Sequence, residues 1–156
     1  MTQSRGIWRQ ASILAIAGGA AFWVANFAIS LTPIATEYRA ALSISYVPML
    51  LEALVGGLTI GFCVSLFLLR FFGKSPTKNP ILKSEVLSFI VLIIVTMLIE
   101  VPAKFLTATS GALRYFLIAT IFNVIRILAL GTVIGYAYKR PYKGFNISAM
   151  ASQPAK

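Results

Sequence analysis

The chain has 156 residues, of which 58% are hydrophobic and only 12% charged, and its formal net charge is +10. A water-soluble domain of this size could not bury so much apolar surface, whereas a lipid bilayer accommodates it. The basic residues lie between apolar segments, a pattern that indicates membrane topology and argues against nucleic acid as a partner. The sequence therefore predicts an all-α integral membrane protein that lies in the lipid bilayer.

The residue types that are missing restrict the chemistry. The chain contains no His, and its four acidic residues are all glutamates. Histidine-ligated haem, a zinc cluster and a Ser-His-Asp triad are therefore excluded within this chain. Its one cysteine, Cys63, lies in an apolar run and is interpreted as a packing residue. We predict no cofactor, no metal and no enzymatic activity; the remaining catalytic route is a lone glutamate base at Glu52 or Glu100.

Four apolar segments are long enough to cross a bilayer as helices. The first follows a polar start carrying Arg5 and Arg9, and its length favours an uncleaved span over a signal peptide. Together the segments predict one domain, 1–156, built as a four-helix transmembrane bundle. The predicted spans are 11–31, 49–72, 81–104 and 112–138.

Between the first two spans the chain is mixed in character. A short helix beginning near Pro33 would place Ile34, Tyr38, Ala41 and Leu42 on one side. Such a helix could lie flat on the membrane surface. A plain loop with an aromatic anchor explains the same residues, and the two alternatives stay open.

Small residues recur at helical spacing in three of the spans. At this spacing they let two helix backbones approach closely, which is how helices gain contact within lipid. The partner helix can belong to the same chain or to another subunit. The predicted packing residues are Gly19, Ala53, Gly57, Gly61, Ser65, Gly131 and Gly135.

Polar and charged residues inside the spans are costly in lipid and should face the bundle interior. We predict an intramembrane polar cluster in which Arg126 pairs with Glu100, and Glu85 is the competing partner. Pro102 cannot donate a backbone hydrogen bond to Leu98, so the third span is expected to bend or unwind locally beside Glu100. The cluster comprises Glu52, Glu85, Thr96, Glu100, Asn123 and Arg126.

The distribution of basic residues predicts the orientation. Of the 14 Lys and Arg residues, ten lie on the side that holds both termini, three on the other side, and Arg126 lies within the membrane. The positive-inside rule then places both termini in the cytoplasm, in a multi-pass protein of the cell membrane. So strong an asymmetry also argues against dual insertion.

One short stretch resembles a known family. Residues Gly111 to Tyr115, reading GALRY and followed by Asn123, resemble a signature of small four-helix fluoride channels. In that family the pattern opens the first helix, and the charge is commonly balanced. Here it opens the fourth helix of a strongly biased chain, so the resemblance does not extend the family's function to this chain.

Two function classes follow from these features. The first is a small non-enzymatic accessory or structural subunit that assembles with itself or with other membrane subunits. The second is a small ion or solute channel or transporter with a polar path around Arg126, Asn123, Glu100 and Glu52. A tightly packed interior would favour the first class, and a continuous polar path to both membrane faces would favour the second.

Overall fold

The computed structural model describes residues 2–71, 79–102 and 111–139, and these residues form helices joined by short connections. Four of the helices are long and apolar enough to cross a membrane. The prediction of an all-α chain with four helices long and apolar enough to span a membrane is therefore confirmed for the described residues. The helices are α1 (Thr2–Ser30), α2 (Pro33–Ala41), α3 (Tyr46–Phe71), α4 (Pro80–Val95) and α5 (Ala112–Lys139).

Three of the predicted spans agree closely with the helices, and the first differs at its start. Helix α1 begins at Thr2, well before the apolar run at residue 11. The polar residues of its first turns are compatible with a helix, because hydropathy marks the part that enters lipid and not the point where backbone hydrogen bonding begins. The membrane-spanning part of α1 is Gly6–Ser30.

The starts of α2 and α4 are encoded by the same local pattern. Thr32 Oγ1 accepts a hydrogen bond from the Ala35 backbone N–H at 3.3 Å, and Pro33 occupies the first turn. Asn79 Oδ1 likewise accepts from the Ile81 N–H at 3.0 Å, with Pro80 next in the chain. Each side chain satisfies a backbone donor that the first helical turn leaves free, and proline is tolerated at that position.

Helix α4 continues into a π-helical turn at Thr96–Glu100, where the Val101 N–H donates to the Thr96 carbonyl. This wider turn lies just before Pro102, whose ring nitrogen has no hydrogen to donate. The predicted local departure from α-helix beside Glu100 is thus confirmed. The last two residues of the predicted span 81–104 lie outside the described residues.

Helix α1 lies between α3 and α5, and α4 packs mainly against α5. The α1–α3 contact uses the predicted small residues. A Cβ placed on Gly61 would lie 3.0 Å from the Ala15 carbonyl oxygen, and one on Gly19 would lie 3.1 Å from the Leu58 Cα atom. The backbones are therefore too close for larger side chains, as the glycine spacing predicted.

The α4–α5 contact is built in the same way. A Cβ on Gly131 would lie 2.8 Å from a carboxylate oxygen of Glu85, and one on Gly135 would overlap the backbone of Ile81. Ser84 Oγ donates to the Gly131 carbonyl across this contact. Both glycine pairs are thus occupied by packing within the chain, and they require no second subunit to explain them.

An apolar core fills the end of the bundle where α1 begins and α5 ends. Five of its side chains are only 0–4% exposed: Leu14, Val64, Leu68, Leu130 and Ile134. Two more predicted packing residues take part in the packing, since Ala53 packs against the core and Ser65 is fully buried.

Candidate functional site

Polar side chains from three helices meet at the opposite end of the bundle, beneath α2. They are Asn26 on α1, Glu52 on α3, and Asn123 with Arg126 on α5, and all four line the same two adjoining cavities. We call this space the recess. The structure thus brings together Glu52, Asn123 and Arg126, which the sequence placed in one cluster, and adds Asn26.

Arg126 is held within the recess by contacts on its own helix and on α1. Its Nη1 atom donates to Asn123 Oδ1 at 3.0 Å, a contact between residues three apart on one helical face. Its guanidinium carbon lies 6.0 Å from the ring centroids of both Phe22 and Phe122. Aromatic faces attract cations at such distances, so the two rings stabilise the positive charge of Arg126 at this position.

Helix α2 covers the recess and is fixed to the bundle by aromatic and polar contacts. The Tyr38 ring meets the rings of Tyr115 and Phe122 edge-on, at centroid distances of 6.1 Å and 6.0 Å. Arg39 Nη1 donates to the Ser30 carbonyl at 3.0 Å, and its guanidinium lies 5.1 Å from the Tyr46 ring centroid. The short segment is therefore a helix, as one of the two alternatives proposed.

The residues predicted to share one side of α2 do not form the face that packs on the bundle. Ala35 is buried at 4% exposure, whereas Ile34 is 55% exposed and Ala41 also faces outward. The Tyr38 ring contacts two rings of α5, and these contacts fix the rotation of the helix.

An ion pair joins α2 to the start of α5: Arg114 Nη2 lies 2.7 Å from Glu37 Oε1. Both side chains are more than half exposed, so the pair contributes little to stability, about 0–1 kcal/mol. It places Arg114 and Tyr115, two residues of the GALRY stretch, in contact with α2 at the end of the bundle. They pack beside the recess and line neither cavity.

Asn26 is the recess residue that the predicted cluster omitted. Its side chain is 1% exposed, and its Nδ2 atom has no hydrogen-bond acceptor among the described residues. A buried donor without an acceptor costs about 1–3 kcal/mol, so such groups need an explanation. The sequence signal was present, because Asn26 shares a helical face with Gly19 and Ser30, but that face alone could not separate packing from binding.

The recess consists of two cavities that share five lining residues. The first, of about 180 Å³, lies directly under α2 and is lined in addition by Ser30, Tyr38 and Arg39. The second, of about 220 Å³, extends between α3 and α4 and is lined in addition mostly by apolar side chains. The shared residues are Asn26, Met49, Glu52, Asn123 and Arg126.

Glu85 lies apart from the recess, in the contact between α4 and α5. Its Oε1 atom accepts a hydrogen bond from Thr132 Oγ1 at 2.6 Å, while Oε2 is buried without a described hydrogen-bond partner. Ser88 is fully buried next to it, one turn along α4. Glu85 therefore belongs to a second polar site. Its hydrogen-bond partner Thr132 lies about 9 Å from Arg126 along α5, at 1.5 Å per residue.

The last two members of the predicted cluster belong to the π-helical turn. Thr96 is half-buried at its first residue and lines neither cavity. The Glu100 side chain lies outside the described residues, so its pairing with Arg126 stays a prediction. The six predicted residues thus divide into three in the recess, one at the α4–α5 contact and two on the turn.

No family model, curated protein or solved structure matches this chain. The resemblance to fluoride channels accordingly remains confined to the GALRY stretch and Asn123. Functional interpretation therefore rests on the geometry of the recess and on the packing around it.

Proposed function

We propose that the protein is a small non-enzymatic accessory protein of the membrane that binds a polar group in the recess. The supporting observation is that Asn26, Glu52, Asn123 and Arg126 line cavities together at one end of the bundle. Asn26 lies about 18 Å from Leu14 along α1, and Arg126 lies about 12 Å from Ile134 along α5, at 1.5 Å per residue. Between these levels and the far end, apolar side chains form the buried core of the described residues. The buried polar residues in that half line neither cavity; they are Ser65, Lys83, Ser84 and Ser88.

A binding role accounts for the recess better than a structural role alone. A purely structural subunit gains nothing from an open cavity next to a buried amide donor, since both lower stability. The absence of His and Asp from the sequence supports a non-catalytic role. Because both glycine contacts are used within the chain, association with itself or with other membrane subunits would use a different surface.

Transport is the second candidate, because Glu52, Asn123 and Arg126 line shared cavities. A transporter needs access from both faces, through a path or through alternating conformations. The apolar core that closes the other half of the bundle argues against an open channel. Transport by this chain would require the helices to rearrange around Leu130 and Ile134.

For orientation we propose that both termini are cytoplasmic and that the recess lies in the outer half of the cell membrane. The bias in basic residues supports this orientation. Ser45 is exposed between α2 and α3, at the recess end. In chain order Ser75 follows Phe71, which ends α3 at the opposite end of that helix from Ser45.

A labelling experiment tests orientation and recess access together. Single cysteines replace Ser45, Ser75, Asn123 or Leu130 in a Cys63→Ala background, and a small impermeant thiol reagent is added to intact cells. We expect reaction at Ser45→Cys and Asn123→Cys only, because Leu130 is fully buried in the core. Labelling at Ser75→Cys would reverse the orientation. Labelling at Leu130→Cys would show a continuous aqueous path and contradict the one-sided recess.

A further inference from the structure

We propose that the recess binds an anionic amphiphile of the bilayer. The charged head would lie in the cavity under α2, and the acyl chain would lie in the cavity between α3 and α4. This inference rests on the proposed function, since it names the ligand class of the same recess. It follows from the charge of one cavity, the apolar lining of the other and the residues that join them.

The cavity under α2 is suited to an anionic head. Its charged lining residues are Arg39, Arg126 and Glu52, which leaves one excess positive charge. Arg39 is fixed by its hydrogen bonds to the Ser30 carbonyl and to Thr36 Oγ1 at 3.0 Å and 3.2 Å. Fixed guanidinium groups are well suited to carboxylate and phosphate oxygens, which they contact through several N–H donors.

Asn26 supplies an independent observation that points to a ligand. Its side chain is 99% buried, lines both cavities, and carries the Nδ2 donor that has no acceptor among the described residues. A head-group oxygen in the recess would provide that acceptor. The nearby carboxylate of Glu52 would then face any cationic part of the head.

The second cavity is suited to a hydrocarbon chain. Phe22, Ile60, Leu92, Val95 and Ile127 contribute to its lining. Helix α3 packs mainly against α1 and α4 mainly against α5, so α3 and α4 meet each other only loosely where this cavity lies. A chain could enter from the lipid by this side, where apolar contact with the cavity wall replaces contact with other lipid chains.

The connection between the cavities selects an amphiphile over a free anion. They adjoin at Asn26, Glu52 and Arg126, so a molecule with its head at this level has its chain directed along the apolar part. Neither cavity alone, at about 180 Å³ and 220 Å³, reaches the roughly 300–1,000 Å³ typical of small-molecule sites, so a ligand of ordinary size would occupy both. A free anion would leave the apolar cavity unused.

The test uses the full chain purified in a maltoside detergent. The probes are 1-oleoyl lysophosphatidate, monoolein with an uncharged head, and inorganic phosphate without a chain. We expect lysophosphatidate alone to raise the melting temperature saturably and to remain bound in native mass spectrometry. Monoolein should require at least a tenfold higher concentration, because it lacks the charge that Arg39 and Arg126 recognise.

Two variants locate the site. Asn26→Leu removes the free donor and should weaken binding about tenfold, the effect of losing one hydrogen bond to a charged group. Gly56→Phe fills the apolar cavity, and because a Cβ at Gly56 has no atom within 4 Å, this variant should still fold. Thr59→Phe, on the exposed side of α3, is the matched control and should bind normally.

The outcomes separate the ligand class from the proposed function. Equal stabilisation by phosphate, lost in Asn26→Leu, would overturn the amphiphile while leaving a binding recess. Equal binding of monoolein would overturn the anionic head. Lysophosphatidate binding that neither variant weakens would place the ligand elsewhere and overturn the inference. If none of the probes binds, the inference fails, and the proposed function is then judged separately by vesicle flux.

Discussion

Gly61→Leu is expected to destabilise the protein strongly, because its side chain would be forced into the backbone of α1. A Cβ at this position already lies 3.0 Å from the Ala15 carbonyl oxygen and 3.4 Å from the Ala15 Cα atom. A backbone cannot rotate away as a flexible side chain can. The loss should reach or exceed the upper end of the ~1–3 kcal/mol range for overpacked cores. Thermal unfolding in detergent, followed by size-exclusion chromatography, measures it.

Neighbouring glycines of α3 provide the controls. At Gly57 the added Cβ would meet the Phe22 ring at 2.8 Å, so Gly57→Leu should cost less than Gly61→Leu. Gly56→Leu, with no atom within 4 Å of its Cβ, and Thr59→Leu, on the exposed side, should change stability least. Equal losses at Gly56 and Gly61, or no loss at either, would contradict the α1–α3 contact.

Arg126→Leu is expected to cost a few kcal/mol, because Glu100 is predicted to be its acidic partner and would then lose its cation inside the membrane. Breaking one side of a buried pair typically costs about 3–5 kcal/mol, whereas replacing both sides with apolar residues is often nearly neutral. We therefore expect Glu100→Leu to be destabilising as well, and the Arg126→Leu/Glu100→Leu double variant to recover most of the loss. Melting temperatures of the four proteins give the coupling energy.

Glu52 serves as the matched comparison in this cycle, because it lines both cavities with Arg126. It is exposed at the mouth of the recess, so its replacement by Leu should couple more weakly to Arg126. Additive losses with Glu100→Leu, together with strong coupling to Glu52→Leu, would reject the predicted pair and make Glu52 the partner of Arg126.

Much of the architecture could be predicted because it depends on periodic patterns. The glycines of α3 recur every four residues, and this spacing alone placed Gly57 and Gly61 on a close-packed face. Ser84 and Ser88 are buried on α4, while Leu82, Val86 and Ile90 on its other side are exposed, the separation that a helical period gives to an amphipathic membrane helix. Such patterns depend on the periodicity of one helix, and they can be read without knowing which helix packs against it.

The site was harder to predict because it depends on the relative heights and rotations of different helices. Glu85 was expected to compete with Glu100 as the partner of Arg126, but Glu85 meets Thr132, lower on α5. Asn26 entered the recess only because α1 lies between α3 and α5, an arrangement that no single span encodes. The rotation of α2 likewise depends on the Tyr115 and Phe122 rings far along the chain.

The central claim is that the recess opens to one side and binds without conducting. Flux of chloride, fluoride and potassium into vesicles containing the purified protein tests it most directly, with gramicidin as the positive control for potassium. We predict rates equal to those of protein-free vesicles, because the Leu14, Val64, Leu130 and Ile134 layer closes the bundle below Arg126. Flux above that background that the Arg126→Leu/Glu100→Leu double variant abolishes while remaining folded would contradict the account.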